Sequence, residues 1–258
     1  MTAVALRART GLAVALISVA GLLAFFWPFL MGRHSVLDPT SAPLVLALLL
    51  PALLADVLVE IASGGLDVKA VAMLGVLAAV GAALRPLGAG TAGLETVFFL
   101  LVLGGRAFGP GFGFVLGATT LFGSALLTGG VGPWLPFQMI GAAWVGLGAG
   151  LLPRSVRGRA ELVLLAAYGA LAGLLYGWLL NLSFWPFATG VGGGLSFAPG
   201  GPVLANLHRF VLYSVTTSLG WDLGRALTDV VLIAVTGRAV LGALRRAGRR
   251  AAFGAPAA

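Results

Sequence analysis

GLAVALISVAGLLAFFWPFLMG, residues 11–32, decides the fold class. It runs about 22 residues without a charge, close to the roughly 20 that an α-helix needs to cross a bilayer. A secretory signal core is about 7–15 residues and ends at a small-residue cleavage site. This stretch is longer and lacks such a site, so it reads as a membrane helix.

The rest of the chain agrees. Of its 258 residues, 59% are hydrophobic and only 9% are charged, and the mean hydropathy is +1.05. A soluble domain carries roughly 25% charged residues. This chain cannot cover a water-facing surface and must be solvated by lipid. Its 40 glycines suit close helix approach in a membrane. With no cysteine, disulfides, iron–sulfur clusters and thiolate zinc sites are excluded.

Hydropathy gives about eight spans, roughly 11–31, 43–62, 68–86, 94–107, 110–129, 134–152, 161–182 and 207–238. The expected class is an all-α polytopic membrane protein of the plasma membrane. With the N-terminus inside, the cytoplasmic side receives Arg7, Arg9, Lys69, Arg106, Arg154, Arg157, Arg159, Arg238, Arg245, Arg246, Arg249 and Arg250. The outside receives Arg33, Arg85 and Arg209, and Arg225 stays within the last span. The bias of 12 to 3 follows the positive-inside rule and puts both termini inside. It also locates the net charge of +8. The tail RRAGRR (245–250) is a membrane-surface anchor, and no nucleic-acid-binding module accompanies it.

Much chemistry is missing. No G-x-x-x-x-G-K-S/T occurs, and Lys69 is the sole lysine, so this chain does not split ATP by a P-loop. No H-E-x-x-H or G-x-S-x-G occurs. An intramembrane hydrolase needs clustered carboxylates, histidines or a Ser/Lys pair, and few candidates exist. The expectation is a protein that is not an enzyme and has no intrinsic cofactor or metal. A membrane enzyme using Asp222/Arg225 or His208 is the alternative from that class.

Ionisable residues inside a membrane are costly and must be paired or face a cavity. Asp222, Arg225 and Asp229, in SVTTSLGWDLGRALTDVV (214–231), share one helical face. The span boundaries put them in its inner half, with an acid on either side of the arginine. They form a self-satisfied ionic stripe, a subunit contact or a link to gating. Asp56 and Glu60 are also four apart, near the cytoplasmic end of the second span; they read as solvated or Lys69-paired acids, or as the core of a proton-coupled carrier. Arg85 and Glu95 bracket the outer loop RPLGAGTAGLE (85–95). They pair across it or contact a polar ligand.

Three outer elements share one chemical character. TGGVGPWLPFQ (128–138) carries Trp134, Phe137 and Gln138; NLSFWPF (181–187) carries Asn181, Phe184, Trp185 and Phe187; NLHRFVLYS (206–214) carries Asn206, His208, Arg209 and Tyr213. A small-molecule site is mostly apolar, with a few polar groups that fix orientation. An interfacial aromatic belt accounts for the rings but not for the interleaved Asn, Gln and His. The connection at 183–206 holds three Phe and one Trp, which argues against simple disorder.

VKAVAMLGVLAAVGAALRPLG (68–88) begins at a cytoplasmic Lys and satisfies A-x-x-x-A twice, at Ala78/Ala82 and Ala79/Ala83. With GPGFGF, GGVGPW and WDLGRA further on, it resembles the substrate-binding S components of energy-coupling factor (ECF) vitamin transporters. It is most similar to the actinobacterial members predicted to carry cobalamin or its precursors. The resemblance covers about 68–240. It implies a six-helix capture subunit, a corrinoid ligand, a membrane T subunit and two ATPase subunits that hydrolyse ATP. It implies outer loops closing the site, and Gly75, Ala78, Ala79, Ala82 and Ala83 at the T-subunit contact, where small residues permit close approach. Packing within the subunit accounts for them equally well. Residues 1–67 then form a two-helix extension and 241–258 a basic cytoplasmic tail.

Overall fold

The computed structural model describes residues 8–30, 68–88, 91–188, 191–192 and 194–252, with 48, 50–52, 54–55 and 58 between them. Asp56, Glu60, Arg33 and His34 lie outside the described residues.

Among the described residues the regular structure is all helical. The helices are α1 (Ala8–Phe25), α2 (Trp27–Leu30), α3 (Val68–Leu84), α4 (Phe98–Phe108), α5 (Pro110–Thr128), α6 (Leu135–Leu151), α7 (Arg159–Phe184), α8 (Val203–Thr217) and α9 (Leu219–Ala252). Short 3-10 turns follow α3 at Arg85–Gly88 and α7 at Trp185–Phe187. Four segments are long and apolar enough to cross a membrane: Lys69–Gly88, Pro110–Thr128, Arg159–Phe187 and Leu219–Arg249. The chain is a membrane protein by this measure. The apolar helices α4 and α6 and the apolar part of α1 are shorter.

One expected span divides. The stretch read as 207–238 is two helices, broken at Ser218. The break falls in the polar run Thr216–Thr217–Ser218, and only the second of the two helices is long and apolar enough to cross a membrane. The side chains of Thr216 and Thr217 bond back to carbonyls one turn earlier, a pattern that competes with the regular helix.

α4 is the axle of the bundle. At 11 residues it is about 16 Å long, roughly half the hydrocarbon thickness. All of its residues but Phe99 are buried, as befits a helix apolar all round. Gly109, at φ 104°, turns the chain straight into α5, whose first residue is Pro110; that φ suits glycine and the ring suits a helix start.

α4, α5 and α6 then pack backbone to backbone. A Cβ on Gly105 or Gly113 would run into the carbonyl of Gly146, and one on Gly146 into that of Gly113. In lipid, apolar side chains gain little from leaving one apolar medium for another. Close van der Waals contact through small residues holds such helices together instead.

α1 is docked on this core. The Trp144 indole donates to Ser18 Oγ at 3.0 Å, and Phe25 packs on Phe137 and Trp144 at 5.1 and 5.6 Å.

Candidate functional site

The connection from α3 to α4 is pressed onto α9. Gly93, at φ 79°, lies on the main chain of Trp221, and Gly224 lies on the carbonyl of Ala92. A Cβ at either place would overlap backbone. Thr96 Oγ1 donates to the Leu84 carbonyl at 2.6 Å and ties the two ends of the loop.

This seating sends the two bracketing charges to different partners. Arg85 donates to Gln138 Oε1 at 3.2 Å, with Ser124 Oγ at 3.5 Å. Glu95 accepts from Arg225 Nη2 at 3.0 Å. The Arg85–Glu95 pair allowed by their spacing is not formed: although Leu84 and Thr96 beside them are bonded, each charge turns to a partner on another helix, Arg85 to Gln138 and Glu95 to Arg225.

Arg225 is the centre of the arrangement. Its Nη1 donates to Asp222 Oδ1 at 2.8 Å and to the Gly173 carbonyl at 3.1 Å. Its guanidinium faces Tyr176 at 5.4 Å and Phe98 at 5.8 Å, and those two rings meet edge-on at 4.6 Å. Cation–π contacts of this kind strengthen when desolvated. Asp222, Arg225 and Asp229 share a buried face as expected, but the arginine pairs with Asp222 and Glu95 rather than with both helical neighbours. The cluster lies in the first third of α9, close to the break at Ser218.

α7 receives this face on a groove of glycines. Gly169, Gly173 and Gly177 recur every four residues, so they line one side of the helix. A Cβ on Gly177 would overlap Asp222 Oδ1, and one on Gly173 would stand 3.3 Å from Arg225 Cγ. The groove is the means by which a charged helix face enters the bundle.

Not every polar atom there is satisfied. Asp222 Oδ2, Arg225 Nε, both Asp229 oxygens and Asn181 Nδ2 are buried without a hydrogen-bond partner. Buried polar groups nearly always have partners, so this concentration is unusual. The backbone of Phe99 comes near Asp229 but outside hydrogen-bond geometry. The first turn of α4 contributes a favourable helix-end field of up to about 2 kcal/mol. Burying an ionised carboxylate costs several kcal/mol, so the field alone does not offset it.

The described residues of the aromatic connection after α7 form a cap. Trp185 is fully buried; it donates to the Leu195 carbonyl at 2.6 Å and packs on Phe29, Phe197 and Phe210. Asn206 is buried too. Its amide donates to the Ala198 carbonyl at 2.9 Å, and its oxygen accepts from Ala198 N at 3.1 Å and Arg209 Nη1 at 3.3 Å. Trp185, Asn206 and Arg209 therefore brace the cap. The Asn206 polar groups are spent inside the protein.

The other expected residues separate. Gln138 meets Arg85. Asn181 accepts from Ser218 Oγ at 3.1 Å while its Nδ2 stays unpartnered. Phe137 is buried on Phe25, and Tyr213 is buried. Trp134, Phe184, Phe187 and His208 are exposed, as an aromatic belt requires, and the Trp134 indole bonds the Gly130 carbonyl at 3.2 Å. Among the described residues no group of three His, Cys, Asp or Glu could hold a metal ion.

The small residues of α3 divide by face. Gly75, Ala79 and Ala83 are exposed, and nothing stands within 4 Å of a Cβ on Gly75. Ala82 is buried, Ala78 is partly buried against the core, and a Cβ on Gly123 would rest 3.6 Å from Ala82. Ala82 thus packs within the subunit, while Ala78 lies at the edge of the core.

At the opposite end lies an ion cluster that the sequence reading missed. Arg106 donates to Glu161 Oε1 at 2.6 Å and to the carbonyls of Leu152 and Val156, both at 2.9 Å. Arg245 donates to the same glutamate oxygen at 2.6 Å. The cluster clamps the α6–α7 turn to the far end of α9.

Comparison with known proteins adds no relative: no family model, no curated protein and no solved structure matches this chain.

Proposed function

We propose that this chain is the ligand-capture subunit of an ECF-type importer, taking a vitamin from the outer side. The observation that carries the reading is the α3–α4 loop folded onto the bundle. It gathers Arg85, Gln138, Glu95 and Arg225 beside the rings of Phe98 and Tyr176. That is the composition of a small-molecule site: apolar walls with a few polar groups that set orientation.

Two further features support the reading. Arg106, Glu161 and Arg245 meet at one end, while Arg85, Gln138, Asn181 and Ser218 bond at the other. This sorting agrees with eight spans and both termini inside. The exposed face of Gly75, Ala79 and Ala83 suits close approach by a partner helix.

The ligand enters as the loop lifts. It replaces Gln138 on Arg85 and competes with Glu95 for Arg225. A cobalamin-type corrinoid is the ligand that the resemblance names. Reorientation and inward release draw on ATP hydrolysed by two ATPase subunits through a T subunit, because this chain has no P-loop.

Uptake in proteoliposomes tests the reading. Labelled cobalamin should accumulate when T and ATPase subunits and ATP are present, and not with the chain alone. Accumulation by the chain alone under a proton gradient overturns it.

A further inference from the structure

Asp229 is a fully buried side chain with no assigned task. Both of its oxygens lack a hydrogen-bond partner. The charged and titratable groups that face it are few. Asp222 and Arg225 share its helix, Glu95 arrives on the loop before α4, and Tyr176 stands on α7 beside the arginine. α4 presents Phe98 and Phe99 there, which do not titrate. The arginine is already engaged by Glu95, Asp222 and the Gly173 carbonyl. Among the described residues, even with Arg85 on the other wall included, two guanidiniums stand against the three carboxylates Glu95, Asp222 and Asp229. Among those residues one positive charge is missing.

The packing says which kind of cation fits. Positions for a Cβ on Gly169 lie 3.3 Å from Asp229 Cβ and 3.8 Å from its Cγ; on Gly173 such a position lies 3.4 Å from Oδ2. A methyl group added at either glycine would already be in close to ordinary contact with Asp229, so the space on the α7 side of the carboxylate is at most methyl-sized. Metal cations need several oxygen ligands around them, and among the described residues no cluster of three His, Cys, Asp or Glu could hold one. A proton needs one oxygen and no cavity.

We propose that Asp229 is a proton-binding site within the membrane, held as a neutral carboxylic acid by the enclosure between α4, α7 and α9. The proton comes from water and adds to one carboxylate oxygen; no other bond changes. The site does not depend on which ligand the chain captures.

Infrared spectroscopy of the purified full-length chain in detergent tests it. At neutral pH the wild type should show the carbonyl stretch of a protonated carboxylic acid. Asp229→Asn should lose that band and Asp222→Asn should keep it. A wild type without the band overturns the proposal, and so does a band that survives Asp229→Asn. A thermal-unfolding series in NaCl against choline chloride separates the cation chemistries. A wild-type Tm that is the same in both salts supports the proton. A Tm that rises with Na+, and stops doing so in Asp229→Asn, overturns the proton in favour of a metal cation.

Discussion

Glu95 and Arg225, 130 residues apart in the chain, meet at 3.0 Å through one carboxylate oxygen. The contact exists because two glycines let the α3–α4 loop lie on the α9 backbone. It joins the α3–α4 loop to the guanidinium that also holds Asp222.

Loss of that guanidinium should cost more than loss of its loop partner. Arg225→Met leaves Asp222 buried and unpaired, a change worth about 3–5 kcal/mol. Glu95 is partly exposed at 29%, so Glu95→Gln should cost only about 1 kcal/mol. Unfolding in detergent, followed by tryptophan fluorescence, measures both. Equal losses would refute the ranking.

The glycine groove should reject even a methyl group. Gly177→Ala forces Asp222 and Arg225 aside and should lower stability by about 1–3 kcal/mol. Gly75→Ala meets open space and should be neutral or slightly stabilising. Gly75→Leu should fold normally yet block co-purification with a T subunit. A Gly75→Leu chain that still assembles sends this face back to lipid.

At the other end, Glu161→Ala strands Arg106 in the interior and should cost about 3–5 kcal/mol. Arg245 is 36% exposed, so Arg245→Ala should cost at most about 1 kcal/mol. Chemical unfolding of the two variants gives the comparison. A larger loss in Arg245→Ala would mean that the tail, not Arg106, holds the glutamate.

Asn181 and Trp134 should part company in ligand binding. The Asn181 amide is buried with Nδ2 unpartnered, and its removal should weaken affinity up to about tenfold, as one hydrogen bond is worth about 0.5–1.5 kcal/mol and about 1.4 kcal/mol corresponds to a factor of ten. Trp134 is half exposed at the outer turn, and Trp134→Ala should leave affinity unchanged. Titration of each variant checks the split; a Trp134→Ala chain with tenfold weaker binding would move that ring into the site.

These assignments show what the sequence made legible. Apolar length and arginine placement suffice for the membrane class, since both are local quantities. Spacing of three and four placed Asp222, Arg225 and Asp229 on one face. The pairing of Arg225 with Glu95, and of Arg106 with Glu161, depends on contacts across 130 and 55 residues, which no local pattern contains. Asn206 looked like a ligand residue because an amide among aromatics fits a binding site and a loop clasp alike. The glycines at 169, 173 and 177 were readable as a groove, since a repeat of four marks one helix side. The break at Ser218 was hidden because no proline marks it and both sides are helical.

The most direct test of the capture reading is equilibrium binding of cobalamin to the purified chain in detergent, without ATP or partner subunits. The account predicts tight one-to-one binding that Arg85→Gln weakens at least tenfold while the variant stays folded. Binding of equal strength in Arg85→Gln, or none in the wild type to cobalamin, cobinamide, thiamin precursors, riboflavin or biotin, would contradict it.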